Sequence, residues 1–415
     1  MRPFSPARLV YAAAITALIA GCNDGSDANR ITSPTGAIPA VAFRPASPSG
    51  GTVVHVADVE HLYTAVNDLA NAGVTVRLAP GTYVLSAKDG SGVGRPNAGR
   101  LELQQGMSIS GVAGDRAAVI IDARGLPQSS FTAPFGRTGV IRTGRGSNAV
   151  EWLTIAGNGF AAASVETDLE STPNARVRVA HVVADSSARG VDIRNVGAAM
   201  AGRRLHAEIV DNDFLRGVEG IRVANFAGAD RGDISVLMSG NRSYENILGC
   251  IVENNRSNFA TIYVRSSGDR FEDNGLGCQI GSGLATSGAA NSNSTVFEGH
   301  GTHFSNNTRT SFFNSTGPDF TEFGGVLVVG GDVIGPTATT SSNAVIVRLW
   351  GCKVAGNQNS DFQAFGARSV DPSRISGVDN HTTIELHGVS KRIDVVAMDS
   401  SPADPSGSNT VTIIR

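Results

Sequence analysis

The sequence predicts an all-β chain wound as a parallel β-solenoid, and three observations carry that expectation. A Gly, an alternating apolar pair and an Asn recur in one register: Gly190-Val191-Asp192-Ile193-Arg194-Asn195, Gly220-Ile221-Arg222-Val223-Ala224-Asn225 and Gly249-Cys250-Ile251-Val252-Glu253-Asn254. Their spacing is 30 residues and then 29. Such a period marks stacked units, and a period-two apolar pattern inside each makes the units strands rather than helix pairs. The composition agrees: 50 glycines, 41% hydrophobic and 17% charged residues suit a chain that turns often and stacks small side chains. A solenoid grows by adding rungs, so 415 residues need no division into several domains.

The first 22 residues predict export. Arg2 and Arg8 precede an apolar run from Leu9 to Ala20, too short to span a bilayer as a stable helix. The run ends in Ile19-Ala20-Gly21-Cys22, which resembles a bacterial lipoprotein signal cleaved before an acylated Cys22. An ordinary secretory peptide that carries a Cys is the alternative. Asn23 rather than Asp after the Cys points to the outer membrane or cell surface, with the membrane reached through the lipid alone. Residues 23–50, rich in Ser, Pro, Gly, Asn and Asp, have the composition of a flexible tether. The β-solenoid domain then takes 51–415.

The folded part opens with a helix. Val59, Leu62, Tyr63, Val66 and Leu69 recur at helical spacing, with Asp58 as N-cap and Gly73 beyond the end. Val74 to Leu78 follows as a strand. Next come Leu78-Ala79-Pro80-Gly81-Thr82-Tyr83-Val84-Leu85, Leu101-Glu102-Leu103 and Met107-Ser108-Ile109-Ser110-Gly111. This order resembles the opening of right-handed parallel β-helix proteins of the pectin-lyase-like superfamily, in which an amphipathic helix caps the first rung. Such a cap covers strand edges and core that would otherwise meet water. The resemblance runs to about Gly366 and implies a single-stranded right-handed parallel β-helix with an N-terminal capping helix; it specifies activity poorly.

The repeat register places side chains in columns. Val191, Ile221, Cys250 and Cys278 form one inward stack, and Ile193, Val223, Val252 and Ile280 another. Phe214, Ser243, Phe271 and Phe304 form a third, seven residues earlier. Asn195, Asn225 and Asn254 predict an amide ladder at a turn. Removing Cys22 leaves three cysteines, no disulfide framework. Cys250 and Cys278 lie one rung apart, and their side chains point the same way. They read as stacked small apolar residues, with a disulfide as the alternative.

Phe160 to Ala175, with Glu166, Asp168 and Glu170, reads as a loop that interrupts the stack, either a binding loop or a solvated excursion. Gly335 to Asn343 also reads as a loop. Gly325–Val329, Ala344–Trp350 and Thr382–Leu386 read as strands after the pattern weakens past Phe313, and Thr410 to Ile414 as a closing strand without a place in the stack.

Beside the Phe column, the outward positions read Asp213, Arg242, Arg270, His303 on one side and Leu215, Tyr244, Glu272, Ser305 on the other. Adjacent rungs lie ~4.8 Å apart, so Arg242 and Arg270 would be neighbours. Two guanidiniums without a partner repel each other, and together they suit a carboxylated sugar. The resemblance implies polysaccharide as partner, on the outside of a strand column. A lyase acting on a uronic acid needs its carboxylate neutralised, by Arg or Ca²⁺, and a base for the C5 proton. Arg242, Arg270, Tyr244 and His303 supply catalytic side chains of those types, and Asp213 and Glu272 would contact substrate. Solvated strand positions with local ion pairs are the plainer account of the same residues.

Other chemistries are open or excluded on similar grounds. Asp185, Asp211, Asp213 and Glu272 could offer oxygens to Ca²⁺, though no dedicated calcium loop is present. Asp213 and Glu272, two rungs apart, would fit the carboxyl separation of about 6.5 to 9.5 Å used in inverting hydrolysis. The best-known pectate and pectin lyases carry an Arg-x-Pro-x-x-Arg segment and a Trp-Ile-Asp-His strand, both absent. Polygalacturonases share Gly299-His300-Gly301, but their paired aspartates and Arg-x-Lys are missing. A net charge of −3 without basic tracts argues against a nucleic-acid partner. A polysaccharide lyase, a glycoside hydrolase, a non-catalytic glycan binder and a structural rod all suit the fold.

Overall fold

The computed structural model describes residues 52–131, 139–157, 159, 162–167, 174–308, 324–334, 337–358, 360–369, 377–389, 393–401 and 408–415. The lipidation site Cys22, the tether, Asp168 and Glu170 lie outside them. The chain forms a right-handed parallel β-helix. One rung runs Arg204–Val210, Asp213–Leu215, Glu219–Asn225, and the next runs Asp233–Ser239, Arg242–Tyr244, Leu248–Asn254. Each strand pairs in parallel with its counterpart in the following rung. Three lateral faces result: a first face of long strands, a second of three-residue strands, and a third that carries the Gly repeat. The first two merge into one large sheet and the third forms its own.

The repeat register holds as expected. Val191, Ile221, Cys250 and Cys278 are successive partners on the third face, as are Ile193, Val223, Val252 and Ile280, and all are fully buried. Cys250 and Cys278 are free thiols, and burial pushes the Cys250 thiol well up. Phe214, Ser243, Phe271 and Phe304 stack behind the second face. Each such buried apolar side chain contributes roughly 1.5 to 3 kcal/mol, so repetition stabilises the coil. The stack also explains the glycine of the repeat: a Cβ on Gly190 would fall 2.3 Å from the Phe214 ring.

The corners are set by backbone and amides. Between the first and second faces the chain turns at Asp211, Gly240, Gly268, Gly301, Gly351 and Gly388, with φ between 52° and 67°. Glycine enters this left-handed region without strain, which suits five of the six. Asn195, Asn225 and Asn254 form the expected ladder, each amide donating to the next oxygen at 2.9 Å. Three further ladders line other corners. They are Asn212, Asn241 and Asp269; Asn246, Asn274, Asn307 and Asn357; and Asn293, Asn343, Asn380 and Asn409. Within them the step ranges from 28 to 50 residues while the register persists. Insertions therefore sit in the corners, and this is why the sequence period fades after Phe313.

Several expectations are corrected. The capping helix spans Val59–Asn67, with Asp58 accepting from the His61 amide, and ends before Leu69, which is 77% exposed. Asp68 caps a separate short turn, Leu69–Asn71, so the apolar spacing continued past the true end. The stretch read as a loop from Phe160 contains the strand Ala163–Thr167, paired on both sides within the third face. Thr339–Ser341, within the second expected loop, pairs with Ala289–Asn291. Thr410–Ile414 has a place after all, as the partner of His381–Glu385 on the first face.

Candidate functional site

Two charged surfaces lie on the outside of the coil, and their electrostatics differ. The second face carries the residues read from the sequence. Asp213, Arg242, Arg270 and His303 are successive Cα partners there, as are Leu215, Tyr244, Glu272 and Ser305. A strand this short, with its middle residue buried in the Phe column, must point both ends outward. Arg242 and Arg270 are exposed, His303, Tyr244, Asp213 and Glu272 are half-buried, and Leu215 and Ser305 are buried.

The contacts divide this group. Arg116 reaches across from an earlier loop to pair with Asp213 and donates to the Asp211 carbonyl at 3.2 Å. Glu272 accepts from the Ser305 hydroxyl at 3.0 Å and lies 3.5 Å from Nδ1 of His303. The Arg242 guanidinium sits over the Tyr244 ring, 4.1 Å from its centroid. Burial, then the charge of Asp213, raise the Tyr244 hydroxyl pKa, with Arg242 opposing. Neither Arg242 nor Arg270 has a carboxylate within 4.0 Å among the described residues, although nearby Arg116, Arg124 and Arg216 each end on an aspartate. Among the described residues these two adjacent cations therefore have no counterion in contact.

The sequence reading missed the second surface. On the third face the x positions of the Gly-apolar-x-apolar repeat point outward, yet they are buried. Glu102, Arg142, Glu166, Asp192 and Arg222 are successive partners there. Arg142 pairs with Glu102, and Arg194 with Glu166. Arg194 and Arg189 approach Asp192 at 3.4 and 3.5 Å. Arg189 also holds Glu219 at 2.8 Å, and Arg222 joins Glu219 at 3.5 Å to Glu253 at 2.6 Å. Burial works against the charge on Arg194 and Arg222, but the flanking carboxylates outweigh it and raise both pKa values. Glu166 belongs to this strip, fully buried, and not to a solvated loop. The signal was present in Asp192 and Arg222, between the repeat's apolar letters, and in Arg194 and Glu253, just before its Asn.

The remaining candidates are dispersed. Of the carboxylates considered for calcium, Asp185 is bound by Arg216 and Asp213 by Arg116. Among the described residues, no group of three or more His, Cys, Asp and Glu side chains is arranged to hold a metal ion. His300 lies on the first face, stacked at 4.6 Å on Trp350, which in turn stacks at 5.5 Å on His387.

No protein-family model matches the chain, and no curated protein matches its sequence. Solved structures do resemble it. The A-module of mannuronan C-5 epimerase AlgE4 from Azotobacter vinelandii is 14% identical, with 87% of this chain and 100% of that one aligned and a TM-score of 0.34. The catalytic domain of a GH87 α-1,3-glucanase is 12% identical over 90% of this chain and 70% of that one, with a TM-score of 0.38. Pectate lyase Pel9A is 13% identical over 86% and 82%, with a TM-score of 0.28. Likeness at this level carries no reaction or substrate to the chain. The parallel β-helix rests on the ladder register above.

Proposed function

We propose that this chain engages acidic polysaccharide on its second face and cleaves it by elimination. The observation that carries the reading is the pair Arg242 and Arg270, adjacent, exposed and, among the described residues, without a carboxylate within 4.0 Å. Two like charges at rung spacing are a standing repulsion that a sugar carboxylate would relieve. In the proposed reaction the guanidiniums neutralise the uronate carboxylate, which makes the C5 proton removable. His303, oriented by Glu272, takes that proton. The C4–O bond breaks as the C4–C5 double bond forms, and the Tyr244 hydroxyl gives its proton to the leaving oxygen. Its raised pKa keeps it protonated for that role.

The exposure of Arg242 and Arg270 favours a second reading, binding without cleavage, because catalysis works best where water is excluded. Hydrolysis with Asp213 has less support, since Arg116 already occupies that carboxylate. One assay separates the three. The protein is incubated with acidic and neutral polysaccharides, with and without Ca²⁺, while unsaturated uronate absorbance and new reducing ends are followed. Absorbance with new ends supports elimination, new ends alone mean hydrolysis, and retention without either means binding only.

The same proposal places the protein outside the cell, tethered through Cys22. Cys22→Ser should move it from the detergent phase to the aqueous phase on Triton X-114 partitioning. Unchanged partitioning would remove the anchor from the reading.

A further inference from the structure

We infer that Lys353 completes a four-rung basic rail, so that a polyanionic glycan lies along the solenoid axis and not across it. The inference rests on the reading of the second face above and adds an orientation and a length to it. Lys353 is the Cα partner of His303, which partners Arg270, which partners Arg242. Four consecutive rungs thus present Arg242, Arg270, His303 and Lys353 at one position. Counting residues does not reveal the fourth member, because the step from His303 to Lys353 is 50 residues where earlier steps are near 30. The structure closes that gap: Phe304 partners Val354 behind the face, and the Asn307 amide donates to the Asn357 side-chain oxygen at 3.0 Å with the same separation of 50.

Lys353 is exposed and, like Arg242 and Arg270, has no carboxylate within 4.0 Å among the described residues. At ~4.8 Å per rung, the rail from Arg242 to Lys353 is about 14 Å long. Its start is fixed by Asp213, the preceding member of the column, whose charge is taken by Arg116. Its flank is acidic. Glu272 lies two residues from Arg270 on the same strand, and Glu245 and Asp273 are exposed at the following corner. A polyanion crossing the strands would meet one cation and then that acidic flank. One running along the axis keeps its carboxylates over Arg242, Arg270 and Lys353 in turn, with the His303 ring between the last two. The geometry selects a linear glycan with carboxylates on successive residues, not a neutral one.

The test is a binding series with oligogalacturonates and oligomannuronates of two to eight residues, using the full chain, Lys353→Gln and Arg270→Gln. Both substituted side chains are exposed, so folding is unaffected. Wild-type affinity should climb with length and level off once the oligomer covers the rail. Lys353→Gln should match wild type on the shortest oligomers and lose about two- to fivefold on the longest, the worth of one exposed ion pair. Arg270→Gln should weaken every length. If Lys353→Gln equals wild type throughout while Arg270→Gln is weakened, the axial rail is overturned and the second-face reading stands. Equal loss at all lengths for Lys353→Gln would also overturn the rail, by placing Lys353 at its centre. If neither variant differs from wild type, or if no oligomer binds, the second-face reading falls and the rail with it.

Discussion

The third-face strip and the second-face column obey the same rule of the coil, that alternate residues point outward, and they reach opposite electrostatic outcomes. On the third face the outward carboxylates Glu166, Asp192, Glu219 and Glu253 are buried, and each lies against Arg189, Arg194 or Arg222. On the second face Arg242, Arg270 and Lys353 remain in water, with no carboxylate within 4.0 Å among the described residues. Burial is what separates them. An isolated charge out of water is too costly to keep, so a buried strip must be neutralised by its own neighbours. An exposed cation is hydrated and can wait for a ligand. Charge in this coil is structural where it is covered and available where it is not.

The largest effect should come from breaking the buried strip. Arg222→Ala takes from buried Glu253 its Arg222 partner and leaves Glu219 with Arg189, and should cost about 3 to 5 kcal/mol, read as a fall in denaturant midpoint. A change under 1 kcal/mol would mean that water reaches the strip. If rungs open separately, hydrogen exchange in the third-face strands reads the loss.

Asp269 sharpens the comparison, because it is buried like the strip but has no cation within 4.0 Å among the described residues. It stands where an Asn would continue its ladder, accepting from the Asn241 amide at 2.8 Å and from the Ser266 hydroxyl. Burial raises its pKa from 3.8 to about 6, against those hydrogen bonds. A carboxyl raised on folding binds its proton more tightly in the folded state. Stability should therefore fall as pH rises between the unfolded value and about 6, and level off above. Asp269→Asn should remove that slope and stabilise the protein at neutral pH by on the order of 2 to 3 kcal/mol. Parallel pH profiles for the two proteins would refute the assignment.

Smaller changes are expected on the exposed face. Arg270→Ala should shift stability by no more than about 0.5 kcal/mol, since a solvated surface substitution disturbs no packing. Its effect should appear in binding to acidic glycan instead, and a marked loss of stability with binding intact would reverse the roles assigned to the two surfaces. Tyr244→Leu should be smaller still in binding, removing a cation–π contact of about 0.5 to 1 kcal/mol, yet it should abolish elimination if the hydroxyl is the acid. Retained elimination would assign the proton to another donor.

The repeat itself was legible because its residues are constrained by local geometry. Gly190 and its copies leave room for Phe214, Ser243 and the next rung's Asn274, apolar residues alternate inward, and Asn195, Asn225 and Asn254 bond to their own copies. The same logic placed Arg242 beside Arg270. It failed at Ala163–Thr167, where a long apparent loop hid a strand, and at Leu69, where helical spacing outran the helix. Three further amide ladders escaped notice because their steps of 28 to 50 residues mask a common register.

By itself the sequence determined the winding of the chain, its inward columns and the neighbours across each rung, since a period-two pattern repeated every turn leaves one way to bury the apolar side chains. Only the tertiary structure decided which outward charges lose their water, that Arg116 claims a carboxylate from a distant rung and Arg216 one from the rung before it, and that Lys353 rejoins the column after a long insertion. Those outcomes depend on burial and on contacts between rungs, and neither is encoded in the local spacing of residues.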